Sequence, residues 1–275
     1  MTIALKQVNV EAAGTTAGNL RIGYREAGSG PVVLALHGVG SSSLSFEPQL
    51  EALSARFRVI AWDAPGYGGS DDWTGEPTAG CYADFACGLL DALGIKTANI
   101  VGHSMGGLIT TALVARHADR IERVVLSSCA SGYAQLPQAE REERLAARAG
   151  LFDEGGAEGV AAARGPNNCS PHASEAVVAR IVEIMARVRK TGYLAGAQLL
   201  DAGDVFAELK GWPTPPPSTL VMVGAHDRTT PPPGSRRIAH AIRGSRYQEL
   251  DHSAHAGFLE QPELYNTLLA NHFTP

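Results

Sequence analysis

"VGHSMGGL", residues 101–108, sets one hydroxyl among residues with almost no side chain: Gly102 lies two positions before Ser104, and Gly106 and Gly107 follow it. Ahead of the serine, Ala98-Asn99-Ile100-Val101 reads as the end of a short buried strand. Behind it, Leu108, Ile109, Ala112, Leu113 and Ala115 recur at helical spacing as far as His117. The serine therefore falls where a strand turns sharply into a helix. Such a turn strains its central residue, and small residues two positions to either side let strand and helix pass closely. Gly102-His103-Ser104-Met105-Gly106 has the G-x-S-x-G form of a nucleophile elbow. A tight β–α turn with an incidental serine would carry the same glycines, so the role of Ser104 depends on what the rest of the chain brings to it.

The segments around the turn alternate strand and helix. Leu20–Arg25 alternates apolar and polar residues, as an antiparallel edge hairpin does. Val32–Leu36 is an apolar run ending in His37-Gly38, Phe46–Ala55 has helical character, and Arg58–Trp62 is a second buried run ending at Asp63. Tyr82–Leu93 reads as an amphipathic helix closed by Gly94, and Val124–Ser127 as the strand after the elbow helix. Buried strands alternating with helices predict a parallel α/β sheet covered on both faces.

From about Tyr133 the rhythm changes. Residues 138–149 and 174–190 are helical with no strand between them. In the second, Val177, Val178, Ile181, Val182, Ile184, Met185 and Val188 form one apolar stripe behind Ser174 as N-cap. Trp212-Pro213-Thr214-Pro215-Pro216-Pro217 then stops any helix before strand character resumes at Thr219–Val223. The expected organisation is a core of residues 1–132 and 213–275 interrupted by a helical cap of residues 133–212.

Bulk properties narrow the class. The chain has 275 residues, 44% hydrophobic and 19% charged, as expected of a soluble enzyme. A net charge of −5 gives no global reason to bind nucleic acid or an anionic membrane. No apolar run approaches the ~20 residues that cross a bilayer. Met1 to Val10 contains Lys6 and Gln7 and shows no signal-peptide core, so the expected location is cytoplasmic. Cys81, Cys87, Cys129 and Cys169 lack C-x-x-C spacing, so neither zinc nor a redox pair is expected. A homo-oligomer is left open.

A serine hydroxyl needs a base to take its proton and a carboxylate to orient that base. Both belong at the carboxyl ends of parallel strands, beside the elbow. Leu220-Val221-Met222-Val223 leads into Gly224-Ala225-His226-Asp227, which puts Asp227 at a strand tip. The last strand candidate, Tyr247–Leu250, leads into Asp251-His252-Ser253-Ala254-His255, where either histidine could be the base. The chain order Ser, Asp, His is one of the known triad orders.

At this point nearly all of the chain outside the insertion resembles the α/β-hydrolase superfamily. His37-Gly38-Val39-Gly40 looks like its oxyanion loop, and Asp63-Ala64-Pro65-Gly66-Tyr67-Gly68-Gly69-Ser70 like its D-x-P-G-x-G-x-S loop. Phe258-Leu259-Glu260-Gln261-Pro262-Glu263 is similar to the segment after its catalytic histidine. The resemblance implies a mostly parallel eight-stranded sheet flanked by helices, with a helical cap inserted after the sixth strand. It selects His255, five residues before Glu260, with Ala254 where Gly is usual, and leaves His252 in the loop. Its alternative acid position, after the sixth strand, reads Ser127-Ser128-Cys129-Ala130, so Asp227 stands alone. The implied site is Ser104, His255 and Asp227, with the backbone N–H groups of Val39 and Met105 as oxyanion hole and no metal or organic cofactor. Asp63, His37 and His103 are expected to pack and hydrogen-bond.

The substrate is less legible. The insertion, Thr191-Gly192-Tyr193 and Leu199-Leu200-Asp201-Ala202-Gly203-Asp204, together with Phe46–Leu50 and Thr230-Pro231-Pro232, resembles 3-oxoadipate enol-lactonases and carboxylesterases. That implies a small ester or lactone, with an anionic substrate suggested by the family. Of the cap cations Arg141, Arg144, Arg148, Arg164, Arg180, Arg187, Arg189 and Lys190, one or two are expected to face the pocket. The alternatives are a C–C bond hydrolase of ring-fission dienones or an amidase, in aromatic or heteroaromatic degradation, a cofactor-free oxygenase, or a ligand-binding receptor.

Overall fold

Alternate residues of the central strands face two different cores, which is why those strands read as unbroken apolar runs. In the computed structural model, which describes residues 3–11 and 19–274, Leu34, Leu36, Ile100, Val124 and Leu126 face one core while Val33, Ala35, Val101 and Val125 face the other. The expectation about residues 1–10 falls partly on residues 1–2, outside the described residues.

Among the described residues one sheet contains β1 (Lys6–Val10), β2 (Leu20–Ala27), β3 (Val32–Leu36), β4 (Arg58–Trp62), β5 (Ala98–His103), β6 (Ile121–Ser127), β7 (Ser218–Gly224) and β8 (Arg246–Leu250). Their spatial order is β1-β2-β4-β3-β5-β6-β7-β8. β1 pairs antiparallel with β2 and β2 with β4; every other pairing is parallel. The strand order reverses around β3, so the loops after β3 and β5 diverge and leave a crevice at the carboxyl edge.

The helices are α1 (Glu47–Leu53), α2 (Ala79–Ala92), α3 (Met105–His117), α4 (Gln138–Arg164), α5 (Glu175–Met185), α6 (Lys190–Ala202), α7 (Val205–Leu209), α8 (Pro232–Ala241), α9 (Gly257–Glu260) and α10 (Pro262–Phe273). α2 and α3 cover one face of the sheet, and α1 and α10 the other. α4 to α7 form the insertion between β6 and β7. No helix among the described residues is long and apolar enough to cross a membrane.

The insertion is where sequence and structure differ most. α4 does not stop near residue 149 but runs to Arg164, changing direction at Gly156 (φ 60°, ψ −160°). The Gly155-Gly156 pair hides this continuation from a periodicity reading, because glycine breaks the helical pattern without ending the path of the chain. α5 begins on the expected cap, with Ser174 Oγ accepting from the Val177 N–H at 3.3 Å, but ends at Met185. Val188 lies in the turn before α6 and still packs with Val160, Ala161, Met185 and Tyr193 in a small core of the insertion. Shared burial made two elements look like one helix.

The elbow is built as its glycines require. Ser104 sits at φ 55°, ψ −115° between β5 and α3, a left-handed conformation that costs a non-glycine residue ~1–3 kcal/mol. Three N–H groups, from Gly107, Leu108 and Ala130, converge on the Ser104 carbonyl at 2.9, 3.3 and 3.1 Å, and its own N–H reaches Ser127 O at 3.0 Å. A Cβ on Gly106 would lie 2.0 Å from the Leu36 carbonyl oxygen, and one on Gly102 would lie 2.4 Å from the Gly106 oxygen. The obstacle at Gly106 is backbone, and at Gly102 the Thr110 hydroxyl lies closer still, at 2.2 Å. Gly106→Ala should therefore push α3 away from β3 and lower stability by ~3 kcal/mol or more in urea denaturation; a variant as stable as the parent would show that the two elements do not pass this closely.

Candidate active site

Three strand ends deliver the three candidate residues to one place. Ser104 follows β5, Asp227 follows β7, and His255 lies in the loop after β8. All three residues are buried, at 7%, 3% and 6% exposure. His255 Nδ1 donates to Asp227 Oδ2 at 2.9 Å. With Nδ1 so engaged, Nε2 is the ring nitrogen left to accept a proton. Ser104 and His255 line one cavity, without a hydrogen bond between them among the described contacts. Such contacts commonly tighten only when substrate is bound.

Asp227 is held by the turn that follows it. Its Oδ1 accepts from the N–H groups of Thr229 and Thr230, each at 2.8 Å. Thr230 Oγ1 lies 2.8 Å from Asp227 Oδ2, 3.0 Å from Ser128 O and 3.2 Å from His255 Nδ1. Burial works against the charged carboxylate, but the His255 interaction and the Thr230 hydrogen bonds outweigh it and hold Asp227 at about 2. The signal for this turn was present as Asp227 followed by Thr229-Thr230, since a carboxylate readily caps N–H groups two and three residues ahead.

The loop carrying His255 is fixed on each side of that residue. Glu260 Oε1 accepts from Ala254 N–H at 2.7 Å, and Oε2 accepts from Ser170 N–H in the insertion at 2.8 Å. Ala256 N–H donates to Asn168 O at 3.1 Å. His103 Nε2 donates to the His255 carbonyl at 2.8 Å, and its ring lies 4.6 Å from the His255 ring. The spacing from His255 to Glu260 thus has a physical basis: the glutamate grips the backbone immediately before the histidine. His252 is exposed and meets His172 edge to face, at a ring separation of 4.7 Å, and the structure does not bring it to the cavity.

The remaining polar residues support the crevice. His37 accepts from Ala64 N–H at Nε2 (3.0 Å) while Nδ1 donates to Gly38 O (2.8 Å). Asp63 accepts from Gly69 N–H within its own loop at 2.8 Å and also from Ser43 N–H at 2.7 Å. Val39 lines the cavity, and Met105 opens α3, where a first-turn N–H has no carbonyl one turn back. A second recess that His255 also lines is mainly apolar, with Ile181, Ile184, Met185, Phe258 and Leu259 in its walls. Met185, Val39 and Asn168 border both spaces. Among the described residues no cluster of three or more His, Cys, Asp or Glu has the arrangement to hold a metal ion.

The sequence profile of the alpha/beta hydrolase fold family matches residues 31–262. The chain belongs to that family. Among its relatives, an (E)-2-((N-methylformamido)methylene)succinate hydrolase of Acinetobacter baylyi is 27% identical over 88% of this chain and 90% of its own length. A putative carbamate hydrolase of Agrobacterium fabrum is 30% identical over 89% and 94%. Among solved structures, an enol-lactonase from Burkholderia xenovorans superposes with a TM-score of 0.84, at 32% identity over 93% of this chain and 97% of that one. A thermophilic esterase from Thermogutta terrifontis, with malate bound, gives 0.87 at 25% identity over 97% of each chain.

Within this α/β hydrolase the buried histidine His103 ties acid stability to the site. Burial, followed by the neighbouring His255 ring, pushes it down from 6.5 to about 3. Below pH 6.5 the unfolded chain takes up this proton and the folded chain does not, so stability present above 6.5 is lost as pH falls towards 3. Asp227 adds to the loss between 3.8 and about 2. Chemical denaturation across this range should show stability falling by ~1.4 kcal/mol per pH unit for the one proton of His103. Burial also lowers His37 and His272, so His103→Gln should reduce the slope between pH 6.5 and 4 by the share of one proton without abolishing it; an unchanged slope would place the titrating groups elsewhere.

Proposed function

We propose that this protein is a serine hydrolase that cleaves a small carboxylic ester or lactone through an acyl-enzyme on Ser104. The observation that carries the proposal is the chain Asp227 Oδ2, His255 Nδ1 ending at the cavity that Ser104 lines. His255 Nε2 takes the Ser104 proton as Oγ attacks the carbonyl carbon, and Asp227 stabilises the imidazolium. The backbone N–H groups of Met105 and Val39 receive the oxyanion; a donor of this kind is typically worth ~3 kcal/mol of barrier. Met105 is suited to this because the N-terminus of α3 favours negative charge. His255 returns the proton to the leaving oxygen as the C–O bond breaks. Water, deprotonated by the same nitrogen, then releases the acid. The apolar recess beside His255 suits a short alkyl or aryl leaving group.

The enol-lactonase, similar over nearly its whole length, supports an ester-type carbonyl. The names of the succinate-derivative and carbamate hydrolases favour a second reading, in which the leaving atom is nitrogen. The triad is the same in either case, but His255 must then protonate an amine, which leaves less readily than an alkoxide or enolate. Cleavage of a C–C bond in a dienone fits less well: His103 precedes the serine, where hydrolases of that kind commonly carry Asn, and Ala256 follows His255, where they commonly carry Trp. Ala256 leaves the apolar recess open at that wall.

Assays with a p-nitrophenyl ester, an enol lactone, a p-nitroanilide and a ring-fission dienone decide between these readings. Ester or lactone should give the highest kcat/KM, and a dienone preferred by about two orders of magnitude would overturn the proposal. Ser104→Ala and His255→Ala should each lower kcat by ~10⁴-fold, while His252→Ala should cost less than ~10-fold. Reversal of the two histidine effects would transfer the base to His252.

A further inference from the structure

Ion pairing sorts the cations of the insertion. Arg141 pairs with Asp201, Arg144 with Glu140, Arg180 with Glu47 and Glu183, Arg187 with Glu183, Arg189 with Asp72 and Lys190 with Asp153. Arg148 and Arg164 have no acidic partner among the described residues. Those two, and none of the paired six, line the cavity that holds Ser104 and His255. The absence of a protein counter-ion and the presence of a cavity coincide at the same residues.

Two further observations point the same way. Burial, followed by the charge of Arg148, pulls Arg164 below its usual value, so the fold holds two like charges close together in a partly enclosed space. Tyr193, only 1% exposed, lines the same cavity, and its buried hydroxyl has no hydrogen-bond partner. A buried hydroxyl without a partner is uncommon in a folded protein and marks a place where a ligand oxygen can complete the pair. Asp227 does not neutralise the arginines, because its oxygens are engaged by His255, Thr229 and Thr230.

We propose that Arg148, Arg164 and Tyr193 form a dicarboxylate-binding subsite. The proposal rests on the hydrolase reading and deepens it: besides the carbonyl attacked by Ser104, the acyl portion of the substrate carries two free carboxylates. Each guanidinium presents a planar fork that matches one carboxylate with two hydrogen bonds. A monoanion would leave one arginine desolvated without a counter-charge, whereas a dianion compensates both. Tyr193 donates to one of the bound oxygens. An inorganic phosphate carries similar charge but only one centre, and two guanidiniums on separate stretches of α4 suit two separated anionic groups better.

Calorimetric titration of the whole protein with succinate, the monoanion butyrate (which has no ester to cleave) and inorganic phosphate tests this. Succinate should bind at least about tenfold more tightly than butyrate or phosphate. Arg148→Gln and Arg164→Gln should each weaken succinate by about tenfold or more, whereas Arg187→Gln, at an exposed ion pair outside the cavity lining, should leave it unchanged. Equal binding of succinate and butyrate, tighter binding of phosphate, or undiminished binding in both cavity variants would overturn the subsite. If a cavity variant fails to fold, the comparison of ligands on the parent protein still decides. Turnover of p-nitrophenyl acetate, a neutral ester, by the parent protein reports the hydrolase reading separately, so the failure of one is distinguishable from the failure of the other.

Discussion

Backbone passes backbone where α3 leaves the sheet, and the rest of the site depends on that contact. The first turn of α3 lies against the end of β3 so closely that the Cα hydrogens of Gly106 occupy the only space available beside the Leu36 carbonyl. This packing holds Ser104 at positive φ and lifts its side chain to the carboxyl edge of the sheet. It also places the unpaired N-terminal turn of α3 directly after the hydroxyl, and the loop after β3 alongside it. The position of Ser104, the helix dipole and the proposed oxyanion donors are therefore one geometric arrangement rather than three. The strain at Ser104 is sustained by the three N–H groups gathered on its carbonyl.

The second support is a set of hydrogen bonds that fixes His255 through both its ring and its backbone. His255 is oriented through its ring by Asp227 and through its backbone by His103, while Glu260 and Asn168 hold the residues on either side. His103 remains neutral because it is buried beside another imidazole, so it lends a donor and no positive charge. The insertion takes part in this arrangement: Ser170 shares the Glu260 carboxylate, and Asn168 receives the Ala256 N–H. The insertion, which supplies part of the cavity lining, is thus bonded to the loop that carries the proposed base. The charges divide across the cavity, with Asp227 behind His255 and two arginines on the insertion.

The core could be read from the sequence because its signals are local. Val32–Leu36 and Arg58–Trp62 appear as the observed strands with the same limits, since strands buried on both faces leave continuous apolar runs. The elbow was legible for the same reason, as its glycines record a contact between neighbouring elements. Ser104, Asp227 and His255 could be placed because each follows a strand. That His255 rather than His252 would meet Asp227 was expected only from the family resemblance; in the structure His255 makes that pair, and Glu260 grips the Ala254 N–H just before it. The insertion was harder. Gly156 redirects a helix without stopping the chain, and Val188 belongs to a turn although it completes an apolar stripe. Which cap arginines face the cavity was not legible either, because pairing partners such as Asp201 and Asp72 lie far away in sequence.

The central claim is a covalent intermediate on Ser104, and rapid-quench mass spectrometry during turnover of a p-nitrophenyl ester addresses it directly. The account predicts that, within the first turnover, the peptide containing Ser104 gains the mass of the acyl group in proportion to the p-nitrophenol released. Turnover that proceeds with this peptide unmodified at every quench time, or with the acyl group on another residue, would contradict it.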